Sequence, residues 1–263
     1  MGTLRKRPVL WYDGIQKGVR LMRLEESALV RGDIMEAAAA LGDGVEGRLF
    51  EADALEGVEA AMLEFSGCLF RSVSFNACDV GRIYFTDCRF ERCDFSGFKF
   101  RDGALTRTAF DTCRGVGTTF DHMILREVSF DQCQLAYCAF ARCRMKSVRL
   151  SDCQLNNALL HACQQTGLKL EDCPMEEAEI VETRLNGVDL TTCRISGLRA
   201  SIDSFRGAKV SLAQCPELLA LCGVRVTGYM LLKVLILTGL SVDEYGKNGY
   251  NTTCVNTLTS PGP

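Results

Sequence analysis

Between Phe50 and Val210 the large apolar residues recur at every fifth position. That spacing matches neither the 3.6-residue period of an α-helix nor the two-residue period of a β-strand. The stretch FSGCLFRSVSFNACDVGRIYFTDCRFERCDF (65–95) shows the pattern most clearly. Positions divisible by five form one column: Phe50, Leu55, Phe65, Phe70, Phe75, Val80, Phe85, Phe90, Phe95 and Phe100, continuing to Leu190, Ile195, Phe205 and Val210. Gly115 and Gln165 interrupt it, while Ala60 and Ala200 are merely small. Two positions earlier runs a column of small or β-branched residues that holds most of the 15 cysteines, from Cys68 and Cys78 to Cys173 and Cys193. Two positions later glycine is frequent, as at Gly67, Gly97, Gly117, Gly167, Gly187, Gly197 and Gly207. The tandem unit reads small, polar, large-apolar, polar, often glycine. A unit this short cannot bury its own apolar side chain, so only stacking of repeats closes a core, and the pattern predicts a solenoid.

That unit resembles the pentapeptide repeat family over about 160 residues. The resemblance implies an all-β solenoid, a right-handed quadrilateral β-helix in which each pentapeptide forms one side and four form a coil. About eight coils fit into residues 46–210, and at about 4.8 Å per coil they extend about 40 Å. Residues 1–45 lie outside the pattern and are expected to cap the first coil, whose exposed strand edges need cover. Within them Asp33 is placed to cap a helix over IMEAAAAL that ends at Gly42. From 205 the chain leaves the repeat and reads as a final strand, a helix around Leu212–Leu221 and a short extended segment. The resemblance implies that residues 211–226 are a helical element, serving either as a monomeric end cap or as a dimer interface through Leu212, Leu218, Leu219 and Leu221. In residues 227–263, the apolar run YMLLKVLILTGL (229–240) is shorter than the roughly 20 residues of a bilayer span, which favours a packed or interface segment. The polar stretch after it is expected to be disordered.

With four repeats per coil, residues twenty apart become vertical neighbours. Phe50, Phe70, Phe90, Phe110 and Phe130 then stack inside, as do Cys93, Cys113, Cys133, Cys153, Cys173 and Cys193 beside them. Parallel Cβ vectors keep such cysteines about as far apart as their Cα atoms, whereas a disulfide prefers Cβ atoms about 3.8 Å apart. A metal would need ligands converging from several directions. The column therefore reads as small buried hydrophobes. The opening MGTLRKRPVLWYDG has no apolar signal-peptide core, and a reducing cytoplasm is the expected location.

Function, on this reading, lies on the outside. Glu91, Asp111 and Asp131, with Glu171 further along the column, form an acidic edge whose mutual repulsion suggests a surface retained for a partner. The alternative is a solvated edge screened by Arg92, Arg114 and their neighbours. A basic cluster, Arg142, Arg144, Lys146 and Arg149, extends to Arg126 and Lys169. With the aromatics turned inward it lacks a stacking platform for nucleic acid, and charge balance is the plainer reading. The formal charge of −3, and 20 basic against 24 acidic residues in 46–210, point neither to nucleic-acid binding nor to a strongly acidic DNA mimic. His122 and His161 lie nearly two coils apart, no phosphate loop is visible, and a filled interior offers no concave site. No catalysis, cofactor, metal or membrane span is expected. The resemblance implies a protein partner, and some members of the family are mimics of duplex DNA that bind DNA gyrase and protect it from quinolones. Unlike several of them, this sequence keeps its phase without projecting loops. A general interaction scaffold and a self-associating structural rod remain alternatives.

Overall fold

The computed structural model describes residues 11–16, 19–23, 26–39 and 44–224. The apolar run 229–240, the polar tail and the expected extended segment beyond 224 lie outside the described residues. The chain divides into two units, Met1–Glu217 and Leu218–Pro263. The first contains a parallel β-solenoid of about eight coils. Its first face is an eight-stranded sheet built on Phe50, Phe70, Phe90, Phe110, Phe130, Leu150 and Leu170, joined at its start by Val30–Arg31. The fourth face is a seven-stranded sheet running from Val45–Glu46 to Gln164–Thr166. The third is a six-stranded sheet from Lys99–Arg101 to Arg199–Ala200. The second face is thinner: Ala54–Glu56 pairs with Ser74–Asn76, and single bridges such as Asp94↔Arg114 and Arg114↔Gln134 continue it.

Each repeat works in the same way. The central residue points inward, and Phe50, Phe70, Phe90, Phe100 and Phe130 are all essentially inaccessible. Successive rings stack at 4.5 Å for Phe70–Phe90, 4.8 Å for Phe90–Phe110 and 4.6 Å for Phe110–Phe130. These separations equal the strand spacing, so ring stacking and ladder hydrogen bonds share one rise. Two residues after the centre the chain turns its corner in the left-handed region, with φ of 70° at Gly97 and Gly117. Side-chain-bearing residues do the same, including Arg92 (52°), Arg142 (54°) and Tyr137 (59°). That conformation costs a non-glycine residue about 1–2 kcal/mol. It is offset by a hydrogen bond of similar size from the corner N–H to the next coil, such as Arg92 to the Asp111 carbonyl at 2.9 Å.

The small-residue column has a polar duty as well as a steric one. Cys93 Sγ donates to the Phe70 carbonyl at 3.4 Å and to Glu91 at 3.5 Å, and Cys113, Cys133, Cys153 and Cys173 repeat this pair of bonds coil by coil. Thr108 and Thr183 make the same bonds with hydroxyls. Cysteine suits the column because it is small, apolar and still a weak donor to buried carbonyls.

Two residues disturb the lattice. Phe98 occupies the small-residue column, where its neighbours one coil away are Cys78 and Thr118, and it packs against Phe75, Phe95 and Phe100. Beside it the third-face sheet is interrupted, since Asp79–Thr86 pairs with Glu59–Ser66 but not with Lys99–Arg101. The gap in the apolar column at Gly115 belongs to the same region, where an added Cβ would lie 2.9 Å from Leu135 Cδ2. The second disturbance is Gln165. Its amide donates to the carbonyls of Arg184 (3.1 Å) and Asn186 (3.0 Å), where the fourth-face sheet has ended. Flanking it, side chains replace ladder bonds: Thr183 Oγ1 accepts from Cys163 N–H and Thr192 Oγ1 from Asp172 N–H. The second and third faces continue past this point through Pro174↔Arg194 and Glu179↔Arg199.

At the start, helix α1 (Ile34–Ala39) is capped by Asp33, which accepts from Glu36 N–H at 2.9 Å. Its buried face is Ile34 and Ala38, and Ile34 N–H donates to Asp53 of the first coil at 2.8 Å. The antiparallel pair Trp11–Gln16 and Val19–Arg23 has no counterpart in the sequence reading. After the last coil, the expected strand is only a bridge at Lys209, preceded by a 3₁₀ turn at Ile202–Phe205. The expected helix over 212–221 begins as a 3₁₀ turn, Leu212–Gln214, and becomes helix α2 over Cys215–Leu221. Ser211 and Gln214 form a capping box. The buried Gln214 amide also donates to the carbonyls of Leu190 and Cys193, each at 2.7 Å, closing that end of the coil stack.

The corner geometry makes a direct prediction. Gly117→Ala, at φ 70° with nothing within 4 Å of the added Cβ, loses about 1 kcal/mol through backbone strain alone. An unchanged denaturation midpoint in urea would contradict the left-handed corner.

Candidate functional site

The acidic column stands where the coil register places it, with Glu91↔Asp111, Asp111↔Asp131 and, two strands on, Ser151↔Glu171 as direct neighbours. Its charges are not left to repel. Arg71, in the same column, donates from Nε to Glu91 at 3.0 Å and from its terminal nitrogens to Glu51 and Glu26. The bond from Arg71 holds the Glu26 carboxyl below its ordinary range. Arg89, on the parallel column two residues away, lies 2.9 Å from Glu91 and 3.2 Å from Asp111. Arg149 lies 4.0 Å from Asp131 and 3.7 Å from Glu171, with only 6% of its side chain exposed. The screening cations are thus Arg71, Arg89 and Arg149 in place of Arg92 and Arg114. The reason is geometric: Arg92 points from a corner and Arg114 from the second face, so neither shares the acidic surface.

The basic cluster of the sequence is divided by the fold. Arg142 sits at a corner and binds Asp121 through both carboxylate oxygens, at 2.6 and 2.7 Å, while its Nε donates to His122 Nδ1. Arg149 and Lys169 are strand neighbours on the first face. Arg126, Arg144 and Lys146 are exposed on the fourth face. A one-dimensional run of charges is dispersed because the chain changes face every five residues. His161 lies on the third face, away from the His122 corner.

Most of the column thiols are inaccessible, and burial drives the Cys88 and Cys138 thiols far above their ordinary value. Burial likewise pushes Cys193 up to about 11. All the described cysteines are free, with Cys222 exposed and Cys78 and Cys215 half-buried. Among the described residues no group of three or more His, Cys, Asp or Glu side chains is placed to hold a metal, and no helix is long and apolar enough to cross a membrane. A solvent-open groove of about 530 Å³ is lined by Arg184, Asn186, Asp203, Arg206 and Gly207. Its one carboxylate, Asp203, is paired with Arg206 at 3.2 Å, and the groove contains neither a nucleophile nor a histidine base.

Residues 83–160 match the family model described as Pentapeptide repeat region. No curated protein matches the sequence. Similar solved structures include full-length QnrB1, a plasmid-mediated fluoroquinolone resistance protein, at 17% identity and a TM-score of 0.43, covering 74% of this chain and 95% of that one. HetL, involved in heterocyst differentiation regulation in Nostoc sp. strain PCC 7120, aligns at 12% identity and a TM-score of 0.24, covering 67% and 92% of the two chains. Rfr23 from Cyanothece 51142 aligns at 13% identity and a TM-score of 0.19, covering 63% and 91%.

The thiol column predicts an alkaline limit to stability. A thiol whose acidity is weakened by folding stabilises the native state fully below its unfolded value near 9, and that contribution is lost as pH rises towards about 11. Unfolding free energy measured in urea should therefore fall between these values, by up to about 1.4 kcal/mol per pH unit for each such thiol. In Cys193→Ala the slope should be shallower; an identical slope would remove Cys193 from the account.

Proposed function

We propose that this chain, which belongs to the pentapeptide repeat family, is a non-catalytic interaction scaffold that recognises a protein partner through outward side chains fixed on its coils. The observation that carries this reading is the filled interior. Every coil spends its inward positions on its own core, leaving chemistry to the side chains that flank each centre and to those at the corners. The backbone that carries them is fixed by strand pairing before any partner arrives, which lowers the ordering cost of binding.

The sharper form of the reading is recognition of DNA gyrase or a related topoisomerase through the first face, with protection from quinolones as its consequence. Asp111 and Asp131 favour it, being register neighbours one coil apart with 42% and 47% of their side chains exposed. Charge density limits how far mimicry can extend. Duplex DNA carries one charge per about 1.7 Å, whereas one carboxylate per coil gives one per about 4.8 Å, and Arg89 and Arg149 offset part of that. Recognition would rest on these two aspartates and shape, with Glu91 and Glu171 at the flanks. Purified protein should inhibit gyrase supercoiling in a concentration series, and Asp111→Lys/Asp131→Lys should abolish inhibition while leaving the circular dichroism unchanged. Absence of inhibition by the wild-type protein up to high micromolar concentration removes the gyrase reading and leaves the scaffold with another partner.

Self-association through the C-terminal helix is supported by exposure of Leu212 (68%) and Leu219 (41%), while Leu218 and Leu221 are half-buried. Light scattering should report a dimer that Leu212→Asp/Leu219→Asp converts to monomer. A monomeric wild-type protein assigns these residues to an end cap instead.

A further inference from the structure

The fourth face differs from the first in having cations without counter-ions. Its outward positions from Tyr84 onward are Tyr84, Thr86, Ala104, Thr106, Ile124, Arg126, Arg144, Lys146, Gln164 and Thr166, followed by Arg184 and Asn186. No carboxylate occurs among these twelve residues. Arg126, Arg144 and Lys146 are exposed, and none of their side chains makes a hydrogen bond or ion pair among the described residues. By contrast Arg71, Arg89, Arg107, Arg142 and Arg149 each face a carboxylate. Arg126 and Lys146 are, moreover, direct cross-strand neighbours, an arrangement in which like charges oppose each other.

We propose that this face is a docking surface for an extended acidic polypeptide segment, gripped by Arg126, Arg144 and Lys146. Charge complementarity identifies the occupant, and spacing fixes its form. Arg144 and Lys146 project from one strand two residues apart, about 7 Å, the same interval that separates alternate side chains of an extended peptide. An acidic segment lying along this strand would meet one cation with each alternate carboxylate, while Arg126 on the neighbouring strand approaches from one side. The two guanidinium groups add forked pairing with carboxylates. Nucleic acid fits less well. The face is a flat sheet, its one aromatic, Tyr84, lies two coils below the cationic group, and the phenylalanines that could stack on bases are buried in the core. This surface is separate from the first face, so its test does not depend on gyrase recognition.

The full chain should bind a short fluorescein-labelled peptide of alternating Glu and Ser, measured by anisotropy, with affinity that falls as salt is raised. Arg126→Gln/Arg144→Gln/Lys146→Gln should weaken binding by about tenfold or more. The charge-matched control Arg92→Gln/Lys99→Gln/Arg114→Gln, whose side chains lie elsewhere, should retain most of the affinity. The single substitution Arg144→Glu provides a milder variant with the same direction of effect, and circular dichroism confirms that each variant is folded. No binding by the wild-type chain, equal losses in both triple variants, or tighter binding of a matched oligodeoxythymidylate or DNA duplex would each overturn the proposal. Inhibition of gyrase that survives in the fourth-face variant would leave the first-face reading intact.

Discussion

Everything on the outside of the solenoid is placed by the backbone hydrogen bonds that pair each strand with the one twenty positions further on. Phe70, Phe90, Phe110 and Phe130 are held at a common rise by those bonds, and the rings stack at that rise without deforming it. The left-handed corners, the thiol-to-carbonyl bonds and the alternation of inward and outward positions are conditions for keeping the period at twenty. A single inserted residue would turn a whole column from core to solvent. The constraint explains why the interior is monotonous and the exterior free to vary.

Charge on such a surface is decided by columns that are distant in sequence. Glu91 meets Arg71 from the coil before it and Arg89 from its own strand, and Asp111 meets Arg89 across a coil step. Face one consequently carries an alternating network where a list of its acidic residues would suggest a continuous negative edge. Face four carries fewer charges in total but a larger imbalance, because none of its outward strand positions from Tyr84 onward is a carboxylate. Net charge describes neither face. Local pairing does.

The core was legible in the sequence because one physical demand, filling the centre of each side, repeats at a fixed interval. The same regularity made the strand partners within the repeat readable, including Arg126 with Lys146 and Arg149 with Lys169. Charge pairing was not read correctly, since it required the columns before and after each centre to be considered together, and ARCRMKSVRL looked like one cluster although it spans a corner, the fourth face and the first. Phe98 was visible as a large residue in a column of small ones, and Gly115 as a vacancy in the apolar column. Their shared effect on packing needed three dimensions. The Gln214 amide was detectable only as the far end of a Ser-x-x-Gln capping box, with no sign that it would also receive two solenoid carbonyls.

The interruptions at Phe98 and Gln165 bear on how the molecule comes apart. In a linear stack each coil is stabilised chiefly by its immediate neighbours, so cooperativity is only as strong as the weakest junction. Where the third-face sheet restarts at Lys99, and where side chains substitute for ladder bonds between Cys163 and Thr192, fewer backbone bonds transmit order from one coil to the next. The repeat region is thereby partitioned into a terminal block on each side of a continuous middle block, each with its own free energy of opening. Amide exchange would record that partition as three levels of protection along a chain whose sequence period is uniform.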